Sequence, residues 1–189
     1  MKQPLILASA SPRRRELMAY TGLPFEVICA DAEEIKTGDP DALVMENARR
    51  KARAVARLHP GRLVLGADTV VCQDGRVLGK PKDEQDARDM LRALSGKSHT
   101  VYTGVCVISG DGRETVSADA SRVEFVPLSE DAISWYIATG EPMDKAGAYA
   151  VQGRAGMFVR SITGSYSNVI GLPMALVRDM LKDAGAELP

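Results

Sequence analysis

The stretch that most narrows the possible folds is Leu63 to Cys72, LVLGADTVVC. Apolar residues stand on both sides of its polar centre, the mark of a strand buried on both faces and central in a sheet. Asp68 and Thr69 interrupt the run. A carboxylate in a central strand is expensive unless it meets a cation, a metal or water at a strand end, so Asp68 is the first candidate functional residue. Asp74 and Gly75 then form a two-residue hairpin turn, and VLGKP returns the chain so that Lys80 comes back toward Asp68. An exposed lysine before a proline is the plain alternative for Lys80.

The N-terminal stretch SASPRRRELM, Ser9 to Met18, puts three arginines where a strand hands over to a helix. Ahead of it, Pro4 to Ala8 is a short apolar run that predicts a buried strand. Ser11 suits the N-cap, and Pro12 suits the first turn, where its fixed φ is already helical and its missing N–H has no partner to lose. The helix should stop near Gly22. Free amides at its start favour an anion, and Arg13, Arg14 and Arg15 add forked donors that match phosphate oxygens. The stretch thus predicts a phosphate cradle, with Arg15 on the helix surface. A solvated basic turn is the alternative.

Phe25 to Ala30 predicts a second strand leading into an acidic loop that holds Asp31, Glu33 and Glu34. Asp39 and Pro40 start a helix that runs to about His59, where Pro60 and Gly61 end it. Val44, Ala48, Ala52 and Val55 form an apolar stripe at helical spacing, and Lys51 falls on the same stripe. A lysine facing the core side needs an anion, unless it snorkels past its alanine neighbours to water. A third helix is expected from about Asp83 to Leu94, and a β hairpin from His99 to Ser109 and Arg113 to Val126 around Gly110-Asp111-Gly112. Ser129 should cap a helix to about Thr139. Gly140 to Gly156 reads as a loop, functional by its length. MFVRSI predicts a strand, GSYSNVIGL a second polar stretch flanked by glycines, and Pro173 to Ala184 a closing helix. No repeat or linker divides the 189 residues, so one compact domain spanning 1–189 is expected.

A composition of 45% apolar and 26% charged residues sets aside disorder and coiled coil and points to a mixed α/β fold. The net charge of −1 gives no global attraction to nucleic acid or to an anionic membrane, so any phosphate recognition must be local. Cys29, Cys72 and Cys106 are odd in number, far apart and set in apolar runs, which predicts reduced core residues. The only two histidines, His59 at a helix end and His99 in a β segment, support no histidine metal site. No signal peptide or membrane-spanning stretch is visible, so a cytoplasmic protein is expected.

Collected together, the unusual polar positions are Arg13 to Arg15, Lys51 and Lys80 against Glu33, Glu34 and Asp68. Cations that neutralise phosphate oxygens, with carboxylates that can hold a hard divalent ion, are the inventory of a metal–polyphosphate site. Neither GxxxxGK[ST] nor GxGxxG after the first strand is present, which disfavours P-loop and dinucleotide chemistry. Without a GxSxG elbow, or a histidine in a triad setting, serine hydrolysis is disfavoured too.

The chain resembles the Maf family, the septum-formation proteins, through LASASPRRRELM, the NARRKA helix, GADTVV with LGKP, LSGKSHTVYTGV, and GEPMDKAGAYAVQG followed by GSYSNVIGLP. These ordered blocks span nearly its whole length. The resemblance implies an α/β fold: an elongated, mixed twisted sheet flanked by helices, with two lobes around a nucleotide cleft, as in ITPase-like proteins. It implies a nucleoside triphosphate pyrophosphatase acting in the cytoplasm on nucleotide pools and septum formation, with a nucleoside triphosphate as partner, a divalent metal cation (Mg2+ or Mn2+), and a homodimeric state. The GSYSNVIGLP and AVQG blocks resemble the branch acting on dTTP and UTP, with modified pyrimidine nucleotides as further substrates; the branch acting on 7-methyl-GTP is the alternative.

Residue by residue, the resemblance makes Asp68 the catalytic carboxylate and assigns base selection to Arg13, Thr69 and Gln152. Ser9, Arg14, Lys51 and Lys80 fall in phosphate-binding blocks. Glu33 is carried over with Asp68 as a metal ligand, and Glu34 adjoins it. Residue chemistry and resemblance together predict water attack at the α-phosphorus, with Asp68 orienting or deprotonating the water and Arg14, Lys51 and Lys80 stabilising the pyrophosphate charge. The rival from another class is a non-catalytic nucleotide-binding regulator of septum formation, which would not require Asp68. Nucleic-acid binding through Pro12 to Arg15 is poorly served by the net charge and by the absence of aromatic residues near that run.

Overall fold

The computed structural model describes residues 3–188. Its elements are, in order, β1 (Leu5–Ala8), α1 (Pro12–Ala19), β2 (Phe25–Val27), α2 (Pro40–Leu58), β3 (Val64–Gln73), β4 (Arg76–Leu78), α3 (Glu84–Leu94), β5 (Ser98–Ile108), β6 (Glu114–Phe125), α4 (Glu130–Ala138), β7 (Val159–Thr163), α5 (Tyr166–Ile170) and α6 (Met174–Asp183). Three short 3-10 turns, Glu141–Asp144, Ala146–Ala148 and Arg154–Phe158, lie between α4 and β7. The strands form one mixed sheet in the order β2-β1-β3-β5-β6-β7, with β4 paired to β3. As the sequence predicts, β3 is a long strand inside the sheet. None of the helices among the described residues is long and apolar enough to cross a membrane.

The chain forms two compact units: one takes the described residues through Asp68, Thr103–Asp119 and those from Gly171 onward, the other Thr69–Tyr102 and Ala120–Ile170. In the first unit β1 runs parallel to both β2 and β3, with Ile6, Leu7 and Ala8 opposite Val64, Leu65 and Gly66. Helix α2 covers this part of the sheet because two glycines let it come close. A Cβ on Gly66 would stand 2.6 Å from Ala48 O, and one on Gly104 would overlap Val44 O. Ala48 and Ala52 complete the contact and are wholly buried with Ile6, Val64 and Cys106. The expected stripe is therefore the packed face of α2, and backbone proximity sets its depth.

The second unit holds most of the aromatic side chains. Phe125 packs edge to face on Tyr149 and His99, and Phe158 does so on Tyr136. Leu91, Leu94, Val101, Val123 and Ile133 fill the rest of this core. The hairpin between β3 and β4 turns at Asp74 and Gly75, both with positive φ (49° and 76°), a conformation that glycine and aspartate tolerate. Its ladder ends at Leu78 opposite Val71, two residues before Lys80.

Local signals place most helix ends well. Ser11, Asp39, Asp83 and Ser129 each cap a helix with a side-chain oxygen that accepts a backbone N–H three residues on. Several expectations are corrected. The second strand stops at Val27. The stretch from Gly140 to Gly156 is no plain loop: it contains 3-10 turns and buries Ala148, Tyr149, Ala150 and Val151, because small residues let it pack without long apolar side chains. GSYSNVIGL contains helix α5, which buries Asn168, and the MFVRSI strand starts only at Val159. The three cysteines are free, but only Cys106 is buried; Cys29 is exposed, lying beyond Val27, where the strand expected to contain it ends.

Candidate active site

In a strand, alternate side chains share a face, so Asp68 points the same way as Gly66, toward α2. On α2, Asn47 and Lys51 lie one turn apart on the face that Ala48 and Ala52 press against Gly66. The close approach thus delivers two α2 side chains to one carboxylate. Lys51 Nζ lies 2.6 Å from Asp68 Oδ1, and Asn47 Nδ2 donates to Asp68 Oδ2 at 3.0 Å. The anion that a core-facing lysine needs is Asp68, itself only 8% exposed.

Asn47 also ties down the acidic loop. Its Oδ1 accepts Ile35 N–H at 2.8 Å, and Nδ2 donates to Ile35 O at 2.9 Å. These bonds hold the chain beside Glu34, whose Oε1 lies 2.7 Å from Lys51 Nζ. The Lys51 ammonium is therefore shared by two carboxylates, one near-buried and one half-exposed. Glu33, the neighbour expected to face a metal, is exposed, and its backbone carbonyl accepts from Arg50 Nη1 at 3.1 Å.

At the end of β1 the chain turns into α1 through Ser9. Ser9 Oγ accepts from Ser11 N–H at 3.3 Å and from Arg14 Nη1 at 3.2 Å. Arg14 Nε donates to Gly171 O at 2.7 Å, so a buried guanidinium ties α1 to the chain just ahead of α6, within the first unit. Burial pulls the Arg14 pKa down from its usual value, while the Asp68 and Glu34 charges act in the opposite direction. An arginine stays cationic through such a shift, so a fixed positive charge stands in the same unit as Asp68 and responds to it. Arg13 is half-buried, and Arg15 lies on the helix surface as expected.

The first unit therefore brings together Ser9 with Arg14, and Lys51 with Asp68 and Glu34. In the second unit Thr69 is half-buried, while Lys80 and Gln152 are exposed. Sequence reasoning missed Asn47 and the Gly171 carbonyl. The signal for Asn47 was present: an amide on the buried stripe one turn before Lys51, where an unpaired polar group would be costly. Gly171 carried no such signal, since only its backbone acts.

Among the described residues no three His, Cys, Asp or Glu side chains gather into a metal cluster. The donor set still suits a hard divalent ion. Asp68 and Glu34 already meet on one positive centre, and magnesium is commonly held by one or two carboxylates together with substrate phosphates.

With this geometry in place, the comparisons with known proteins converge. A family model described as Maf-like protein matches residues 4–184. A dTTP/UTP pyrophosphatase of Symbiobacterium thermophilum is 51% identical over 185 residues, covering 97% of this chain and 95% of that protein. Another protein of that name, from Anaeromyxobacter dehalogenans, is 52% identical over 190 residues, covering 98% and 96%. Among solved structures, the Staphylococcus aureus Ham1 protein superposes with a TM-score of 0.53 at 16% identity, covering 96% of this chain and 99% of that one. A HAM1 protein from Coxiella burnetii gives 0.53 at 15%, covering 95% and 98%. At such identities the two solved structures speak to the fold alone.

Proposed function

Because the chain belongs to the Maf family, we propose that it is a nucleoside triphosphate pyrophosphatase that hydrolyses dTTP and UTP to the monophosphate and pyrophosphate. The observation that carries this reading is Asp68, a near-buried carboxylate in a central strand with one oxygen on Lys51 and the other on Asn47. Pure nucleotide binding would gain nothing from a carboxylate placed among phosphate-binding cations. Relatives at 51% and 52% identity that bear the dTTP/UTP pyrophosphatase name favour the pyrimidine branch.

In this mechanism Asp68 orients the water that attacks the α-phosphorus. Both of its oxygens are already engaged, so positioning outweighs proton abstraction in its contribution. Arg14 and Lys51, with Lys80, stabilise the charge that grows on the departing pyrophosphate. Ser9 holds the Arg14 guanidinium in place. Arg13, Thr69 and Gln152 select the base, the last two through hydrogen bonds to the uracil or thymine edge. A divalent cation, Mg2+ or Mn2+, held by Asp68 and a glutamate of the acidic loop, supplies Lewis-acid stabilisation of phosphate oxygens when bound. Glu34 has the geometry for that second ligand; Glu33 is its competitor. We place this activity in the cytoplasm, in nucleotide-pool sanitation and septum formation, and in a homodimer.

The test is pyrophosphate release from UTP, dTTP, 7-methyl-GTP and the purine triphosphates with Mg2+ or Mn2+, for the protein and for Asp68→Asn. UTP and dTTP should be the preferred substrates. A folded Asp68→Asn variant should be slower by about 10²- to 10⁴-fold. Release from none of the triphosphates would overturn the enzyme assignment, and near-normal release by Asp68→Asn would remove Asp68 from the catalytic role.

A further inference from the structure

Gln152 is the exposed tip of a turn whose two ends are tied to one pair of side chains, Tyr136 and Glu141. Tyr136 sits in the last turn of α4 with no exposed surface. Its hydroxyl donates to Glu141 Oε1 at 2.9 Å, and the Tyr136 hydroxyl oxygen in turn accepts Ala150 N–H at 3.2 Å. On the far side of the tip, Glu141 Oε2 accepts Arg154 N–H at 3.2 Å. Gly153 N–H closes the turn on Ala150 O at 3.0 Å. The chain before Gln152 thus hangs from Tyr136, the chain after it from Glu141, and these two hold each other.

Gly153 shows how tightly this is built. Its φ is −102°, which any residue can adopt, so its backbone conformation does not call for glycine. Space does: a Cβ there would overlap the Glu141 carboxylate. The residue following Gln152 must lack a side chain for Glu141 to reach Arg154 N–H. Glu141 is itself fixed, since Lys145 Nζ donates to its backbone carbonyl at 2.7 Å. A carboxylate only 15% exposed is costly to withdraw from water, and its hydrogen bonds serve the two ends of a turn whose tip is an exposed amide.

We propose that Glu141, acting with Tyr136, is a positioning residue for base selection: it holds the Ala150–Arg154 turn so that Gln152 presents its amide in one orientation. This rests on the proposed role of Gln152 in reading the base. A carboxamide carries one acceptor and two donors, and can pair with the edge of a purine as well as of a pyrimidine. Selectivity must then come from where the amide is held, not from its chemistry alone.

The experiment measures kcat/KM for UTP, dTTP, ATP and GTP, together with the melting temperature, in Gln152→Ala, Glu141→Gln, Gly153→Ala and the double variant Gln152→Ala/Glu141→Gln. Gln152→Ala should lower the pyrimidine-to-purine ratio by about tenfold, the worth of one good hydrogen bond. Glu141→Gln and Gly153→Ala should lower that ratio by about fivefold, mainly through KM, and the double variant should fall no further than Gln152→Ala. A purely structural role would lower the melting temperature and slow all four substrates alike; an unchanged ratio in the Glu141 and Gly153 variants, beside a changed one in Gln152→Ala, overturns the proposal. An unchanged ratio in Gln152→Ala itself removes the base-reading role of Gln152 and the proposal with it. Glu141→Gln keeps side-chain volume, so the test survives if Gly153→Ala does not fold.

Discussion

The Asn47 amide and the Asp68 carboxylate are joined at 3.0 Å, and the second N–H and the oxygen of that amide engage both backbone groups of Ile35. One buried side chain therefore fixes a strand residue and the acidic loop together. Asn47→Asp tests this, since it keeps the shape but cannot donate. It would leave Ile35 O without its donor and set a second carboxylate against Asp68, where like charges repel. We expect kcat to fall by about 10- to 100-fold. Steady-state kinetics on the folded variant check this; a normal kcat would show that Asp68 needs no such support.

Glu34 and Glu33 compete for one role, and geometry separates them. Glu34 shares the Lys51 ammonium with Asp68, whereas Glu33 engages Arg50 through its backbone carbonyl. Glu34→Gln should raise the half-saturating concentration of Mg2+ by about tenfold, in line with the loss of one carboxylate ligand. Glu33→Gln should leave it within about twofold. Metal titrations of pyrophosphate release decide between them, and the reverse pattern would give the ligand role to Glu33.

Much of the site could be read from sequence because its signals are local. Asp39 and Pro40 announce α2, periodicity puts Lys51 on its buried face, and a polar interruption marks Asp68 in an apolar strand. That Lys51 and Asp68 are each other's partners is not local: it depends on Gly66 and Gly104 letting α2 come close, and neither glycine looks unusual in its own segment. Asn47 was hidden by the same dependence, since an amide on an apolar stripe acquires meaning only when its acceptor is known. The stretch from Gly140 to Gly156 was misread because the usual mark of burial, large apolar residues, is replaced there by alanines and glycines packed in 3-10 turns.

If Gly66 sets the depth of α2, filling its place should disturb both fold and site. In Gly66→Ala the new Cβ meets Ala48 O at 2.6 Å and Ala52 N at 2.8 Å, backbone atoms that cannot swing aside. The helix must lift, with a loss of about 1–3 kcal/mol and of the 2.6 Å contact between Lys51 and Asp68. Urea unfolding and kcat should fall together. Gly79→Ala is the control, because a Cβ there meets nothing within 4 Å, and it should stay within about 0.5 kcal/mol.

His99 makes a different and separable prediction, about stability against pH. Its ring is 2% exposed, packs edge-on to Phe125 and Tyr149, and shares a 2.8 Å hydrogen bond between Nε2 and the Tyr149 hydroxyl. Its Nδ1 has no partner among the described residues. Burial pushes its pKa down to about 4, because a charged imidazolium there would lose its hydration. The unfolded chain titrates near 6.5, so between about 6.5 and 4 the unfolded state binds the extra proton and folding weakens as pH falls. The stabilisation is complete above the unfolded value and declines until the folded value is passed. From pH 7.5 to pH 5 the loss from this one residue should be about 2 kcal/mol. Other groups titrate over the same range, so the measurement is a difference: urea unfolding of the protein and of His99→Phe at both pH values. The variant gives up the Tyr149 hydrogen bond at every pH but carries no titrating ring. It should be the less stable at pH 7.5, and its stability should fall by about 2 kcal/mol less on going to pH 5. Parallel losses in the two proteins would show that His99 accepts its proton in the folded state.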